Sequence, residues 1–134
     1  MLPFSISLRA GVPIYEQVVY AVRRATVSGQ LRPGDAFPSV RALSQELRIN
    51  PNTAHKIVAT LVEDGLLEVR PGIGTVVGEG RRAAAPERRE LLEHEAERLV
   101  VEAKRGGLGL QELLAAIRKH WSRTADREDE EVRR

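Results

Sequence analysis

The fold is decided by residues 37–65, FPSVRALSQELRINPNTAHKIVATLVEDG, which contain two helix start signals close together. Ser39 and Asn50 are residue types whose side chains cap helix N-termini, and Asn50 is followed by a proline, which suits the first helical position. We therefore expect one helix over residues 40–47 and a second over about 51–64. Because so few residues remain between them, the two helices must be joined by a tight turn.

The second of these helices divides clearly into an apolar stripe and a polar surface. Helical spacing places four apolar side chains on the stripe, which we expect to be buried: Ala54, Ile57, Val58 and Leu61. The polar side chains are expected to point outward or to lie at the flanks: Asn52, Thr53, His55 and Lys56. This helix therefore offers one polar face to a partner.

The preceding segment predicts a strand and a further helix. Apolar residues alternate with others at Leu2, Phe4, Ile6 and Leu8, which is the period of a short strand. Pro13 then opens a helical pattern that ends at Ser28-Gly29, and its apolar face consists of Ile14, Val18, Val22 and Ala25.

Beyond Gly65, the chain predicts a β-hairpin. Residues 66–70 and 75–77 are expected to be short strands, and Pro71-Gly72-Ile73-Gly74 forms the turn between them. The complete order is strand, helix, helix, helix, strand, strand. That order predicts a winged helix-turn-helix domain over residues 1–78.

The remaining residues predict a linker and a pair of helices. Residues 79–87 are expected to form the linker, and residues 88–104 and 110–123 are expected to be helical. The glycine-rich stretch 106–109 should end the first of these helices and separate it from the second. Apolar side chains recur at spacings of three and four: Leu92, Ala96, Leu99, Ala103, Leu110, Leu114, Ile117 and Trp121. Because these stripes are too wide to leave in water, we expect 88–125 to be a two-helix dimerisation domain. The charged residues 126–134 are expected to be a disordered tail.

Composition excludes several classes of protein. The chain has no cysteine, which rules out disulfides and thiolate metal sites, and its three histidines lie far apart, so no metal or cofactor is expected. No nucleophile, paired carboxylate or phosphate-binding glycine loop stands out, so we do not expect an enzyme. There is no secretion signal and no apolar run of membrane-spanning length, which predicts a cytoplasmic protein without membrane contact. The small positive excess lies in residues 1–78, with 8 basic and 6 acidic side chains.

Several ordered motifs together resemble the GntR superfamily of bacterial repressors. The similar stretches are Pro13-Ile14-Tyr15-Glu16-Gln17, residues 28–35, residues 37–43, Asn50-Pro51-Asn52-Thr53 and residues 72–77. The short C-terminal part is similar to the YtrA subfamily, whose members dimerise through a helical pair and commonly repress ABC-transporter operons. The resemblance implies a homodimer that binds a palindromic double-stranded DNA operator.

The resemblance and the chemistry of the side chains together indicate which residues meet DNA. Asn52, Thr53, His55 and Lys56 lie at the start of the recognition helix, which is expected to enter the major groove. Arg41 resembles the family's DNA-contacting arginine, and Ser39 is expected mainly to cap its helix. Gly72 and Gly74 allow the wing tip to approach the minor groove, and Arg70 stands at its base. Each of these residues also has a plainer interpretation, as solvated surface, helix cap or hairpin turn.

Two other functions stay open at this point. A winged helix can serve protein–protein contact without DNA, or can be the DNA-binding part of a larger enzyme. The charged end at Arg134 and the complete helical pair favour an intact regulator over a fragment of an enzyme. Two helices cannot enclose a typical ligand chamber of about 300–1,000 Å³, so a small-molecule effector stays unknown.

Overall fold

The structure is a computed structural model that describes residues 1–80 and 85–124, and these fall into two compact units. The first unit contains helices α1 (Ile14–Val27), α2 (Val40–Leu47) and α3 (Pro51–Glu63), then strands β1 (Leu67–Arg70) and β2 (Gly74–Val77). The second contains helices α4 (Ala85–Glu90), α5 (Ala96–Arg105) and α6 (Leu110–Arg123). The predicted class, mainly helical with a small β-hairpin in a winged helix-turn-helix, is confirmed.

Both predicted caps of the helix-turn-helix form. Ser39 Oγ accepts a hydrogen bond from the amide of Ala42 at 3.1 Å, and Asn50 Oδ1 accepts one from the amide of Asn52 at 2.8 Å. Each cap satisfies a backbone donor that the first helical turn would leave unpaired. The two helices therefore begin where the sequence predicts.

The turn between α2 and α3 depends on an unusual backbone conformation at Arg48. This residue ends α2 with φ 54° and ψ 49°, in the left-handed region. Among the described residues, no other non-glycine residue has a positive φ. Glycine is the usual occupant of such a helix end, because an L side chain crowds the following carbonyl there.

The core of the first unit lies where its three helices and the hairpin meet. All four side chains of the predicted α3 stripe are buried, and Leu61 is completely shielded from solvent. Burying a large aliphatic side chain stabilises a fold by about 1.5–3 kcal/mol, so this stripe fixes α3 firmly. The same buried cluster includes Val18, Val22, Ala25, Leu31, Leu43, Leu67 and Val77.

The predicted N-terminal strand is wrong. Residues 1–10 form no β-pairing, and the amide of Arg9 donates instead to Gln17 Oε1 at 2.7 Å. The alternation has another cause, because Phe4 is buried and its ring stacks on Phe37 with 5.9 Å between centroids. Alternating apolar residues thus anchor an irregular segment on the core, without a neighbouring strand.

The hairpin is tied to the body of the first unit along a second edge. β1 and β2 pair antiparallel, with Leu67 opposite Val77. On the other edge of β2, the amide of Phe37 donates to the Thr75 carbonyl at 2.9 Å, and the amide of Val77 donates to the Asp35 carbonyl at 2.8 Å. The segment that leads into α2 is therefore held beside the wing.

The second unit begins earlier than the sequence predicts. Helical backbone starts at Ala85, three residues before the predicted start, so residues 85–87 of the predicted linker are helical. Pro86 permits this because its missing N–H lies in the first turn, where no intrahelical acceptor exists. A π-helical segment, Leu91–Glu95, joins α4 to α5 and was not predicted. Residues 81–84 of the predicted linker and the predicted tail, 126–134, lie outside the described residues.

Replacement of Arg48 by glycine should stabilise the first unit. Glycine adopts φ 54° without the crowding that an L side chain suffers, although it loses more chain entropy on folding. We expect Arg48→Gly to raise the free energy of unfolding by about 0.5–1 kcal/mol in chemical denaturation. Arg48→Ala is the matched control, because it removes the guanidinium and keeps the unfavourable Cβ. Equal stabilities of the two variants would contradict this explanation.

Candidate nucleic-acid interface

The exposed face of α3 is rich in hydrogen-bonding groups and poor in negative charge. Asn52, His55 and Lys56 are exposed and Thr53 is half-buried, while the opposite face lies in the core. Glu63, the last residue of α3, is the only acidic residue within this helix. The first two turns therefore present amide, hydroxyl, imidazole and ammonium groups with no carboxylate of their own to repel a phosphate backbone.

The start of α2 supplies an unpaired cation. The Ser39 hydroxyl oxygen is engaged as the cap of α2, as the sequence predicts, which leaves its neighbour Arg41 as the charged group at this site. Arg41 is exposed, and no hydrogen bond or ion pair ties its guanidinium to any other described residue. A planar guanidinium in this state is free to bind a phosphate group.

The backbone of the wing tip suits a close approach to DNA, but the wing offers little uncompensated positive charge. Gly72 and Gly74 have φ values of 77° and 114°, which L side chains rarely adopt. Ile73, between them, is 73% exposed and carries no charge. At the base of the wing, an Arg70 guanidinium nitrogen lies 3.4 Å from Glu68 Oε2, so part of its positive charge is compensated.

The structure adds a residue that sequence analysis missed. The Lys56 ammonium lies over the Tyr15 ring, 4.5 Å from its centroid, and the Tyr15 hydroxyl is 2.7 Å from Thr60 Oγ1. Tyr15 belongs to α1 and is half-buried at the edge of the recognition helix. No spacing rule within one helix links it to α3, which is why sequence patterns carry no signal for this contact.

The predicted site residues of the first unit therefore sit on three elements that the fold holds together. α2 and α3 are joined by the tight turn at Arg48, and the segment before α2 is hydrogen-bonded to β2 through Phe37. This fixes the helix that carries Arg41 relative to both α3 and the wing.

The second unit leaves most of its predicted contact residues in solvent. Ala103 is buried and Leu114 is half-buried, whereas Trp121, expected to anchor the helical pair, is 75% exposed. The other predicted residues are also exposed: Leu92, Ala96, Leu99, Leu110 and Ile117. The apolar stripes of this unit are thus largely uncovered in the single chain.

Comparison with known proteins decides the family. Residues 14–77 match the family described as "Bacterial regulatory proteins, gntR family". The HTH-type transcriptional repressor YtrA of Bacillus subtilis is 31% identical over 109 residues, which cover 81% of this chain and 84% of that repressor. The chain belongs to the gntR family. It is therefore a transcriptional regulator with a DNA-binding domain, as the resemblance implied, and not an enzyme.

Solved structures agree with this fold. A GntR family transcriptional regulator from Listeria monocytogenes superposes with a TM-score of 0.61 at 26% identity, covering 84% of this chain and 98% of the other. A protein described as a transcriptional antiterminator from the same species gives a TM-score of 0.74 at 22% identity, over 87% and 88% of the two chains. Both likenesses extend beyond the residues that the family pattern matches.

Two further properties bear on the class of site. Over residues 1–80 and 85–124, no helix is both long and apolar enough to cross a membrane. In the same ranges, no three histidine or carboxylate side chains converge to hold a metal ion.

Removal of the Glu68 carboxylate should strengthen DNA binding by this gntR-family protein. Glu68→Gln deletes a negative charge on the wing and releases Arg70 from its ion pair. We expect DNA affinity in a fluorescence anisotropy titration to rise about threefold, in line with the strength of exposed ion pairs. Glu87→Gln, in the first turn of α4, changes the net charge equally and should leave the affinity unchanged. Equal gains in the two variants would mean that net charge alone acts.

Proposed function

We propose that this protein is a repressor that binds a palindromic operator as a homodimer. Residues 1–78 bind the DNA, with the N-terminal turns of α3 in the major groove and the wing at the minor groove. Residues 88–125 form the dimer. The operators we propose lie upstream of the protein's own gene and of an ABC-transporter operon. A protein with this role acts in the cytoplasm, where bacterial DNA is found.

The polar, carboxylate-free face of the first turns of α3 is the observation that carries this proposal. The side chain of Asn52 can pair with adenine, Thr53 can contact a thymine methyl or a phosphate, and Lys56 can reach guanine or a phosphate. Arg41, at the start of α2 and without a partner among the described residues, adds an exposed cation to the same unit. His55 in its neutral form cannot make the bidentate contact of an arginine to guanine, so we do not assign it that role.

The proposed DNA contact through Arg41 has a measurable signature. Each phosphate contact that a protein makes steepens the dependence of log affinity on log salt by about 0.9. We therefore expect Arg41→Ala to weaken binding at every sequence and to reduce this slope by about 0.9 in titrations across a salt series. The probe is a duplex obtained by selection from random sequences and mapped by footprinting.

Arg23→Ala is the matched control for this measurement. Arg23 is an arginine of the same unit whose guanidinium is paired with Asp64, which caps the C-terminal end of α3. The Arg23→Ala substitution removes the same charge as Arg41→Ala, but at a position away from the proposed DNA contact. It should therefore leave the slope of log affinity against log salt unchanged. A wild-type affinity that hardly varies with salt would refute DNA binding through phosphates and favour the alternative of a protein–protein module.

The proposed homodimer rests on the uncovered apolar side chains of the second unit. Leu92 is 73% exposed and Leu110 is 66% exposed. Because the apolar residues recur at helical spacing, they form a continuous stripe, and exposure of such a stripe to water is unfavourable. A second copy of the same stripe would cover them, and a two-fold dimer matches a palindromic site. Two short helices alone cannot enclose a typical ligand chamber of about 300–1,000 Å³, so a small-molecule effector stays unassigned.

A charge placed in this stripe should separate the two copies. We expect Leu99→Asp to convert the protein from dimer to monomer in light scattering, because a carboxylate buried between helices has no partner. The same variant should protect its operator only at much higher protein concentration. Gln111→Asp introduces the same single negative charge at an exposed polar position of α6 and should stay dimeric. A monomeric wild-type protein at micromolar concentration would contradict the proposal.

A further inference from the structure

Tyr15 contacts two successive turns of the recognition helix. Its ring lies under the Lys56 ammonium, with 4.5 Å from Nζ to the ring centroid, and its hydroxyl is 2.7 Å from Thr60 Oγ1. Lys56 and Thr60 are four residues apart, so they lie above one another on the same face of α3. The tyrosine is therefore fixed at both ends, by Thr60 at the hydroxyl and by α1 at the backbone.

This arrangement restricts a side chain that is otherwise highly mobile. A lysine ammonium on its flexible four-carbon stem normally samples many positions at an exposed site. The negative face of an aromatic ring attracts it to one of them. The ring occupies one side of the ammonium only, so N–H donors remain free on the other side.

We propose that Tyr15 is a positioning residue for operator recognition, which acts by holding the Lys56 ammonium where it meets the DNA. A cation that is ordered before binding loses less conformational entropy when it contacts its target. It also reaches fewer alternative phosphates, which favours the operator over unrelated DNA. This inference rests on the proposed function, because it assigns Lys56 a contact in the operator complex.

The contact can first be tested in the free protein, without DNA. Protons of the Lys56 ε-methylene group lie close to the face of an aromatic ring, so their NMR signals should be shifted upfield. The shift should persist in Tyr15→Phe, which keeps the ring, and should disappear in Tyr15→Leu. An unshifted signal in the wild-type protein would refute the positioning contact, whatever the outcome of DNA binding.

The second test is a double-mutant cycle on the selected operator duplex. We expect Tyr15→Leu to weaken operator binding about threefold, in line with a cation–π contact at an exposed site. Because Lys56 keeps its charge, the salt dependence should change little. In a Lys56→Gln background, the same tyrosine substitution should have no further effect on operator affinity, since the ring then has no ammonium to hold.

The cycle distinguishes positioning from a structural role of the tyrosine. Tyr15 packs against the core, so a general loss of stability would weaken binding equally with Lys56 present and in the Lys56→Gln background, and that result would overturn the inference. Tyr20→Leu is the matched control, because Tyr20 lies on the same helix, is 64% exposed and has its ring beside Arg24 of α1. It should leave both affinities unchanged.

The outcomes also separate this inference from the proposed function. If the wild-type protein selects no duplex, the proposed function fails, and the NMR shift still tests the contact. If the wild-type protein binds an operator and Tyr15→Leu binds it equally well, only the inference fails. If Tyr15→Phe changes operator affinity twofold or less while Tyr15→Leu loses affinity as expected, the aromatic ring is supported as the group that positions Lys56.

Discussion

The orientation of α3 depends on the burial of four apolar side chains along its inner face. Ala54, Ile57, Val58 and Leu61 pack into the core that α1, α2 and the hairpin enclose. A rotation of α3 that presented different side chains outward would expose part of this stripe to water, which would cost several kcal/mol. The polar face that carries Lys56 is outward because the opposite face is buried. The chemistry of the site thus follows from the packing of the core.

Much of this unit was predictable because its signals are local. The caps at Ser39 and Asn50, the buried stripe of α3 and the hairpin all depend on residues within one or two helical turns, which a sequence pattern records directly. Arg41 was assigned to the site from the family resemblance, and the DNA contacts of Arg41 and of the first turns of α3 stay predictions. The family relationship adds that the polar face belongs to a transcriptional regulator.

The features that escaped prediction depend on contacts distant in sequence or on small differences in free energy. The period of two at residues 2–8 is real, but it reflects Phe4 stacking on Phe37 instead of strand pairing, and only the tertiary structure tells these apart. Tyr15 meets Lys56 from a different helix, beyond the reach of any helical spacing. The π-helical segment Leu91–Glu95 has a wider turn than an ordinary helix, which no apolar pattern reveals.

The double attachment of β2 has a consequence for local dynamics. At its base, β2 is hydrogen-bonded to β1 on one edge and to the segment at Asp35 and Phe37 on the other, whereas the tip is closed by a turn bond from the Ile73 amide to the Arg70 carbonyl. Amide hydrogen exchange should therefore slow sharply from tip to base, because local opening is cheap where few bonds must break. In the proposed operator complex, the tip can follow grooves of different width while the base keeps its place beside the segment that leads into α2. Variation in DNA shape would then be absorbed within a few residues of the wing and would not reach α3.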